Sequence, residues 1–600
     1  MFKGRSFAIV ASEPFHWKFP ARHGRVLGAG FPHSNQIMKS KLIHSSCSVR
    51  GARFLSTLSG LVTAAMLAMT PNAHAAFGAT PSGGGFIVNN GGNLVFTITS
   101  AGDMSSCKYK GTELNDTSKA SCIASGLSAS SVTATTNGGT VIVIKCVSTA
   151  AEFGNMTHYY IVQSGVDNIY MATYPTMEPT VGELRYIFRG QYNVLPNGPA
   201  DSNNNGNTGA IESSDVFGHS NGQTTSKYYG SERAKDLTVK GATGTGVGVF
   251  TAFGTRESST GGPFVRDIEN QGDGTGSDQE IYNYMNSGHH IEITIDGTVE
   301  GDRVNVLHGP YAFCFTTGGT PAVPDMSFIA NLGLTGYVGT AARGRVVLNG
   351  LSGMNTAYTY YMGFANTTAQ YWATLNSTGG GECFNMKPGT YSMVIYKNEL
   401  AVWTGSVAVT ANTATTVHTI TITGDPSTTA TIWRIGDWDG TPLEFLNGAN
   451  IMNRHPQDVR NTHWGPVTYT VGSSSVGSFP AVQFRGTNSP TTINFTLTAA
   501  QAGAAHTVKI GATDGYGGGR PSITVNGHTT TNPGAPTQPG DRCFTTGTYR
   551  GNNTTWTWSI PAADFVTGAN TIVISPISGT TDLGPWLSAS WGYDCVELDN

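Results

Sequence analysis

An all-β chain of several domains is the fold class this sequence predicts, on three observations. Gly occurs 78 times in 600 residues, charged residues supply only 12%, and Thr, Ser, Asn and Val crowd the text in short runs. Glycine and β-branched residues weaken long helices, whereas short strands joined by glycine turns use both. A chain of this length also exceeds what one hydrophobic core usually supports, so two or three domains are expected.

Residues 1–75 read as an export leader and are set aside from the fold. Arg50 and Arg53 flank an apolar stretch from Phe54 to Met69, and Ala73-His74-Ala75 supplies a small-residue cleavage pattern. The mature chain then starts at Ala76, with the leader beginning at Met1 or at Met38. The apolar run falls short of the ~20 residues a spanning helix needs, so no membrane anchor is expected and the protein reads as secreted. Without the leader the chain carries 25 Lys/Arg against 37 Asp/Glu, a balance near −12. Nucleic acid is excluded as a partner, because binding phosphates calls for a basic surface. Seven cysteines remain, Cys107, Cys122, Cys146, Cys314, Cys383, Cys543 and Cys595, and none forms a CxxC pair. In an exported chain they read as a few disulfides with one thiol left over, and not as a zinc site.

Along the mature chain, residues 76–324 form the largest predicted unit, rich in aromatics and strand-like pieces such as Val141-Ile142-Val143-Ile144 and Tyr159-Tyr160-Ile161-Val162. Residues 325–424 alternate more clearly, ending in 417–423, where every second side chain could face one core; a small β-sandwich fits. After the linker-like Asp425-Pro426-Ser427-Thr428-Thr429, residues 425–600 read as a second, jelly-roll sandwich. Thr492-Ile493-Asn494-Phe495-Thr496-Leu497-Thr498 alternates strictly there. No repeat of short period is visible.

The stretch richest in chemistry runs through Gly182-Glu183-Leu184-Arg185-Tyr186, Ser226-Lys227-Tyr228-Tyr229-Gly230-Ser231-Glu232-Arg233, Gly261-Gly262-Pro263-Phe264 and Tyr282-Asn283-Tyr284-Met285-Asn286-Ser287-Gly288-His289. With His308-Gly309-Pro310-Tyr311, Met386-Lys387-Pro388-Gly389, Gly436-Asp437-Trp438-Asp439-Gly440, His463-Trp464-Gly465-Pro466 and Asp594-Cys595-Val596-Glu597-Leu598, the mature chain closely resembles the fungal-type rhamnogalacturonan lyases, polysaccharide lyase family 4. That resemblance implies a mutarotase-like catalytic β-sandwich, a fibronectin III-like domain and a carbohydrate-binding-like jelly roll. It implies a pectic substrate, rhamnogalacturonan I, cut by β-elimination at the bond from rhamnose to O4 of galacturonate. It also implies Lys227, His289 and Arg185 as the catalytic residues.

The chemistry asks for the same residue types. The proton on C5 of the uronate becomes acidic only when a cation faces the adjacent carboxylate, a task for Arg185. A base must take that proton, and a lysine serves only if burial and neighbouring cations bring it from ~10.4 toward ~7–8. The leaving O4 needs a proton or hydrogen bond, which suits the imidazole of His289. Residue types alone leave open which of Lys227 and His289 is base and which acid; Lys227 is assigned as base. Tyr282 and Tyr284 share a face by the period of two and are assigned to substrate binding. No metal or cofactor is expected, because Arg185 replaces a cation at the reacting carboxylate, and the chain is expected to act as a monomer.

Blander readings stand beside these. Asp201 to Glu212 matches an EF-hand loop letter for letter, but Pro196 and Pro199 precede it and no helices flank it, so a hydrated surface loop is expected. Glu212 with Asp215, or Asp267 with Glu269, could be cast as a glycosidase pair. Trp433, Trp438 and Trp464 could stack on sugar rings or fill the core, the commoner fate. Sequons occur at Asn115, Asn155, Asn366, Asn376, Asn494 and Asn553. The alternative to an enzyme is a non-catalytic carbohydrate-binding or adhesive protein of the same build.

Overall fold

Strand periodicity organises the fold from its first residues: Leu94–Ile98 buries every second side chain, with Leu94, Phe96 and Ile98 facing one core. A computed structural model describes residues 76–212, 215–226, 228–229, 232–266, 271–272, 278–286, 301–451, 453–534, 542–547, 553–577 and 584–600. The predicted leader, 1–75, lies outside the described residues, as do Lys227, His289, Asp267 and Glu269. Among the described residues the regular elements are almost all strands, as the composition predicts.

Among the described residues, the N-terminal portion is built on a seven-stranded antiparallel sheet. Its order is Val239–Gly244, Val247–Phe253, His308–Thr316, Asn168–Tyr174, Met156–Gln163, Val141–Ser148 and Ser131–Asn137. Ile142, Ile144, Tyr160 and Phe313 point from one face into the main core. Val143, Tyr159, Ile161 and Tyr170 point from the other face onto Met326, Ile329 and Leu334. Both faces are covered, so the strands read as continuous apolar runs rather than as alternation. Across the main core lies a four-stranded sheet in the order Gln271–Gly272, Asp278–Tyr284, Arg185–Gln191 and Cys122–Ile123.

In the middle portion the predicted alternation over 417–423 is interrupted. Ala414–Val417 pairs with Gly344–Leu348, whereas Ile420–Thr421 pairs with Leu351–Ser352. His418 and Thr419 carry the chain from one pairing to the next, so the single face breaks there. In the C-terminal portion, two five-stranded sheets enclose one core. Thr491–Leu497 keeps its alternation, with Ile493, Phe495 and Leu497 buried.

Trp433 and Trp464 fill that C-terminal core, and Trp438 fills the middle one, so core packing is the fate of all three. The expected disulfides are a correction: Cys107, Cys122, Cys146, Cys314, Cys383 and Cys595 are all unpaired and buried. They pack as small apolar side chains, and burial pushes the Cys146, Cys314 and Cys383 thiols up to about 12. No helix among the described residues is long and apolar enough to cross a membrane.

Candidate active site

Register places the site. Arg185–Gln191 pairs antiparallel with Asp278–Tyr284, setting Arg185 opposite Tyr284, Ile187 opposite Tyr282 and Arg189 opposite Glu280. Opposed residues share a face, and successive residues alternate between faces. Tyr186, Phe188 and Ile281 therefore enter the main core. Arg185, Arg189, Glu280, Tyr282 and Tyr284 line the opposite face, where Tyr228 joins Ile187 and the two tyrosines in a small buried cluster.

Arg185 is held mainly by aromatic groups. Its Nη1 donates a 2.7 Å hydrogen bond to the Tyr284 hydroxyl, and the nearest carboxylate oxygen, on Glu183, lies 3.5 Å away. The guanidinium carbon sits 5.6 Å from the ring centroids of both Tyr282 and Tyr284. Those rings stack at 5.4 Å with 29° between their planes. Cation–π contact and one phenol fix the fork, with no close bidentate carboxylate among the described residues. Its buried Nε has no hydrogen-bond partner among the described residues, and 18% of the side chain is exposed, enough for an anion to reach it.

The neighbouring groups fix the tyrosines. The Tyr282 hydroxyl donates to Glu280 Oε2 at 2.5 Å, and Glu280 also pairs with Arg189, which reaches Asp278 at 3.0 Å. Burial, reinforced by Tyr284, pushes the Tyr282 phenol well above its ordinary range, so it acts as a neutral donor. At the entry to the strand, Glu178 accepts 2.6 Å hydrogen bonds from Leu184 N and from Asn286 Nδ2, tying the turn before Arg185 to Asn286. Burial lifts its carboxyl to about 7, against the opposing pull of those hydrogen bonds.

Of the residues singled out in the sequence, the structure brings Arg185, Tyr282 and Tyr284 together. Lys227 and His289 lie outside the described residues. The two chain neighbours of Lys227 are described: Ser226 ends the Thr224–Ser226 strand, and Tyr228 packs on Tyr282 and Tyr284. Sequence reasoning missed Arg189, Glu280, Tyr228 and Glu178. Extending the period of two from Arg185 and Tyr282 would have found the first two; Tyr228 lies in the motif beside Lys227 but gives no sign of its contact with Tyr282 and Tyr284, and Glu178 carries no local signal.

Other motifs serve packing. Gly262 N donates to Gln370 at 2.9 Å, and Phe264 sets its edge against Tyr361 and Tyr396 of the middle portion. Lys387 pairs with buried Glu257 at 3.0 Å. Within Asp201–Glu212 the tip from Gly206 to Ile211 is largely exposed, as a surface loop would be, whereas Ser202, Asn204 and Glu212 are buried. Glu212 accepts from Arg542 and Thr545 and meets His455, and Asp215 lies 3.6 Å from Arg542. Cations thus occupy the carboxylate that calcium would need, and the glycosidase pairing of Glu212 with Asp215 loses its acid. No cluster of three or more His, Cys, Asp or Glu side chains among the described residues is arranged to hold a metal.

Comparison with known proteins agrees with this build. Residues 77–336 match a family model described as rhamnogalacturonan lyase B, N-terminal; residues 342–417 and 431–598 match domains II and III of polysaccharide lyase family 4, the latter CBM-like and the former fibronectin III-like. Rhamnogalacturonate lyase A of Aspergillus aculeatus is 43% identical over 88% of this chain and 97% of its own length. A probable rhamnogalacturonate lyase A of Aspergillus terreus is 44% identical over 85% of this chain and 93% of its own. The Emericella nidulans rhamnogalacturonate lyase A is 42% identical over 88% and 96%. The chain belongs to polysaccharide lyase family 4 and is a polysaccharide lyase.

Proposed function

We propose that the protein is a secreted, monomeric rhamnogalacturonan endolyase that needs no metal, and that it cleaves the rhamnose-α-1,4-galacturonate bond of rhamnogalacturonan I. The observation that carries this reading is Arg185, a partly exposed guanidinium framed by tyrosines, with its Nε unpartnered among the described residues. Such a group receives a uronate carboxylate and stabilises the negative charge that builds on it once the C5 proton leaves. Neutral Lys227 takes that proton. The C4–C5 double bond forms as the C4–O4 bond breaks, and the departing oxygen on rhamnose takes a proton from His289. Tyr282 and Tyr284 face the sugar, their polarity set by Glu280 and Arg185. Residues 1–75 serve as the export leader.

The test is ultraviolet absorbance during incubation with rhamnogalacturonan. A lyase creates a conjugated unsaturated uronate; a hydrolase releases reducing ends without that chromophore, and a binding protein does neither. The expected result is a steady rise in absorbance that Lys227→Ala abolishes while oligosaccharide binding persists, because the lost contact belongs to the transition state. A flat trace with the wild type would overturn the reading.

A further inference from the structure

The small sheet that leads to Lys227 belongs to the N-terminal portion but is gripped by the C-terminal one. Its strands, Gly209–Glu212, Val216–Gly218 and Thr224–Ser226, pair antiparallel. Asp458 Oδ2 accepts from Thr224 N at 2.7 Å and from Thr224 Oγ1 at 3.0 Å, and His455 N donates to the same hydroxyl at 3.2 Å. Val459 N donates to Gly222 O at 3.2 Å across the turn before the strand. Ser226 Oγ donates to Thr546 O at 3.1 Å and accepts from Tyr228 N at 3.1 Å. On the first strand, Glu212 is bound by Arg542 and Thr545 and meets His455 Nε2 at 3.0 Å.

The grip is built from buried charge. The Asp458 side chain is fully buried, and Arg460 donates to it through its backbone N, Nε and Nη2, each at 2.8 Å. Burial alone would raise the Asp458 carboxyl, yet hydrogen bonds from Arg460 and Thr224 outweigh it and hold the group at about 2. Glu212 is likewise held below its ordinary range by His455 and Arg542 despite its burial. Both acceptors stay ionised, and so fully able to accept, wherever the protein is folded and near neutral pH. One flank of Lys227, Ser226, is thereby tied to the C-terminal portion, and the other, Tyr228, to the tyrosines around Arg185.

We infer that the C-terminal portion is a positioning part of the active site, with Asp458 holding Thr224, Thr546 holding Ser226 and Arg542 holding Glu212, so that the strand end next to Lys227 is fixed for its task. This rests on the role given to Lys227 above. None of these residues touches substrate; each acts through the strand it holds. An error of about 1 Å in a reacting group costs on the order of 100-fold in rate, so a loosened strand end should lower kcat with little change in KM.

The experiment compares full-length wild type with Asp458→Ala, Asp458→Asn, Ser226→Ala and a control in the same C-terminal core, Ile572→Val. Each is read for kcat and KM from the chromophore on rhamnogalacturonan and for unfolding temperature. Asp458→Ala is expected to lose about 10- to 100-fold in kcat with KM nearly unchanged. Asp458→Asn keeps an acceptor for Thr224 N and should recover most of that loss. Ile572→Val should lower the unfolding temperature and keep kcat. Should Asp458→Ala fail to fold, Ser226→Ala carries the test, with the same split expected at smaller size. Full kcat in Asp458→Ala, a loss confined to KM, or equal losses in the core control would overturn the inference. A wild type that makes no chromophore sinks the lyase reading itself, whereas an active wild type with an unaffected Asp458→Ala sinks this inference alone.

Discussion

In the proposed mechanism Arg185 depends on what, among the described residues, it is not bound to. A guanidinium locked bidentately by a protein carboxylate would have to break that pair to meet a uronate, whereas one framed by two rings and a phenol keeps donors for the incoming anion. Lysine at this position would keep the charge and lose the planar fork, including the hydrogen bond to Tyr284. Losing a charge-assisted hydrogen bond costs about 1.5–3 kcal/mol, so Arg185→Lys should lower kcat/KM by about 10- to 150-fold. Steady-state rates at several substrate concentrations check this, and a variant with wild-type kcat/KM would remove Arg185 from the carboxylate. Arg185 was picked out by the resemblance its Gly182-Glu183-Leu184-Arg185 motif carries, and the need of β-elimination for a fixed cation agrees with that choice. Tyr228 was not, since its contact with Tyr282 and Tyr284 joins parts of the chain more than fifty residues apart.

Strands explain why part of the site could be read. Because side chains alternate, placing Tyr282 and Tyr284 on one face needed only their spacing, and pairing with the Arg185–Gln191 strand puts that face against Arg185. The runs around Val141 and Tyr159 gave strands but no face, because the sheet is covered on both sides. The disulfides were misread for a related reason: cysteine in a sequence looks the same whether it will cross-link or fill a core. One element-level consequence concerns Glu280, which accepts from Tyr282 and neutralises Arg189 one pair further along. Glu280→Ala removes a carboxylate that pairs with Arg189 and the acceptor of the 2.5 Å hydrogen bond from the Tyr282 hydroxyl. Turnover should fall by about 10- to 150-fold, the equivalent of the about 1.5–3 kcal/mol that a hydrogen bond to a charged group contributes. A parallel loss in Tyr282→Phe, with no further loss in the double variant, would identify the shared hydrogen bond as the cause.

The described residues from Ala76 onward belong to one compact unit. The contacts that unite it were beyond sequence reading: His455 meets Glu212 across 243 residues and Arg542 reaches it across 330. The joint between the middle and C-terminal portions is acidic. Burial, with the charges of Asp439 and Asp437, lifts the Glu444 carboxyl to about 7 against the pull of backbone hydrogen bonds, and buried Asp594 is pushed well above its usual range. A carboxyl raised on folding stabilises the fold below its ordinary value of ~4.3 and loses that contribution as pH rises through about 7. Glu444→Gln can still accept from Asp437 N, which donates to Glu444 at 2.8 Å, and carries no charge to lose. Its unfolding temperature should match the wild type near pH 4 and exceed it by about 2 °C or more near pH 8. A difference that shrinks as pH rises would reverse the sign and refute this account.

Trp438 lies beyond the linker-like 425–429 stretch, yet its indole is buried in the middle core with Cys595, and its Nε1 donates to Glu597 at 2.9 Å. A cassette cut out at that linker would keep a slot shaped for an indole and leave the indole behind with no slot to fill. The middle sandwich is therefore unsuited to shuffling between proteins: it travels with its C-terminal neighbour, and a fusion designer who wants either must take both.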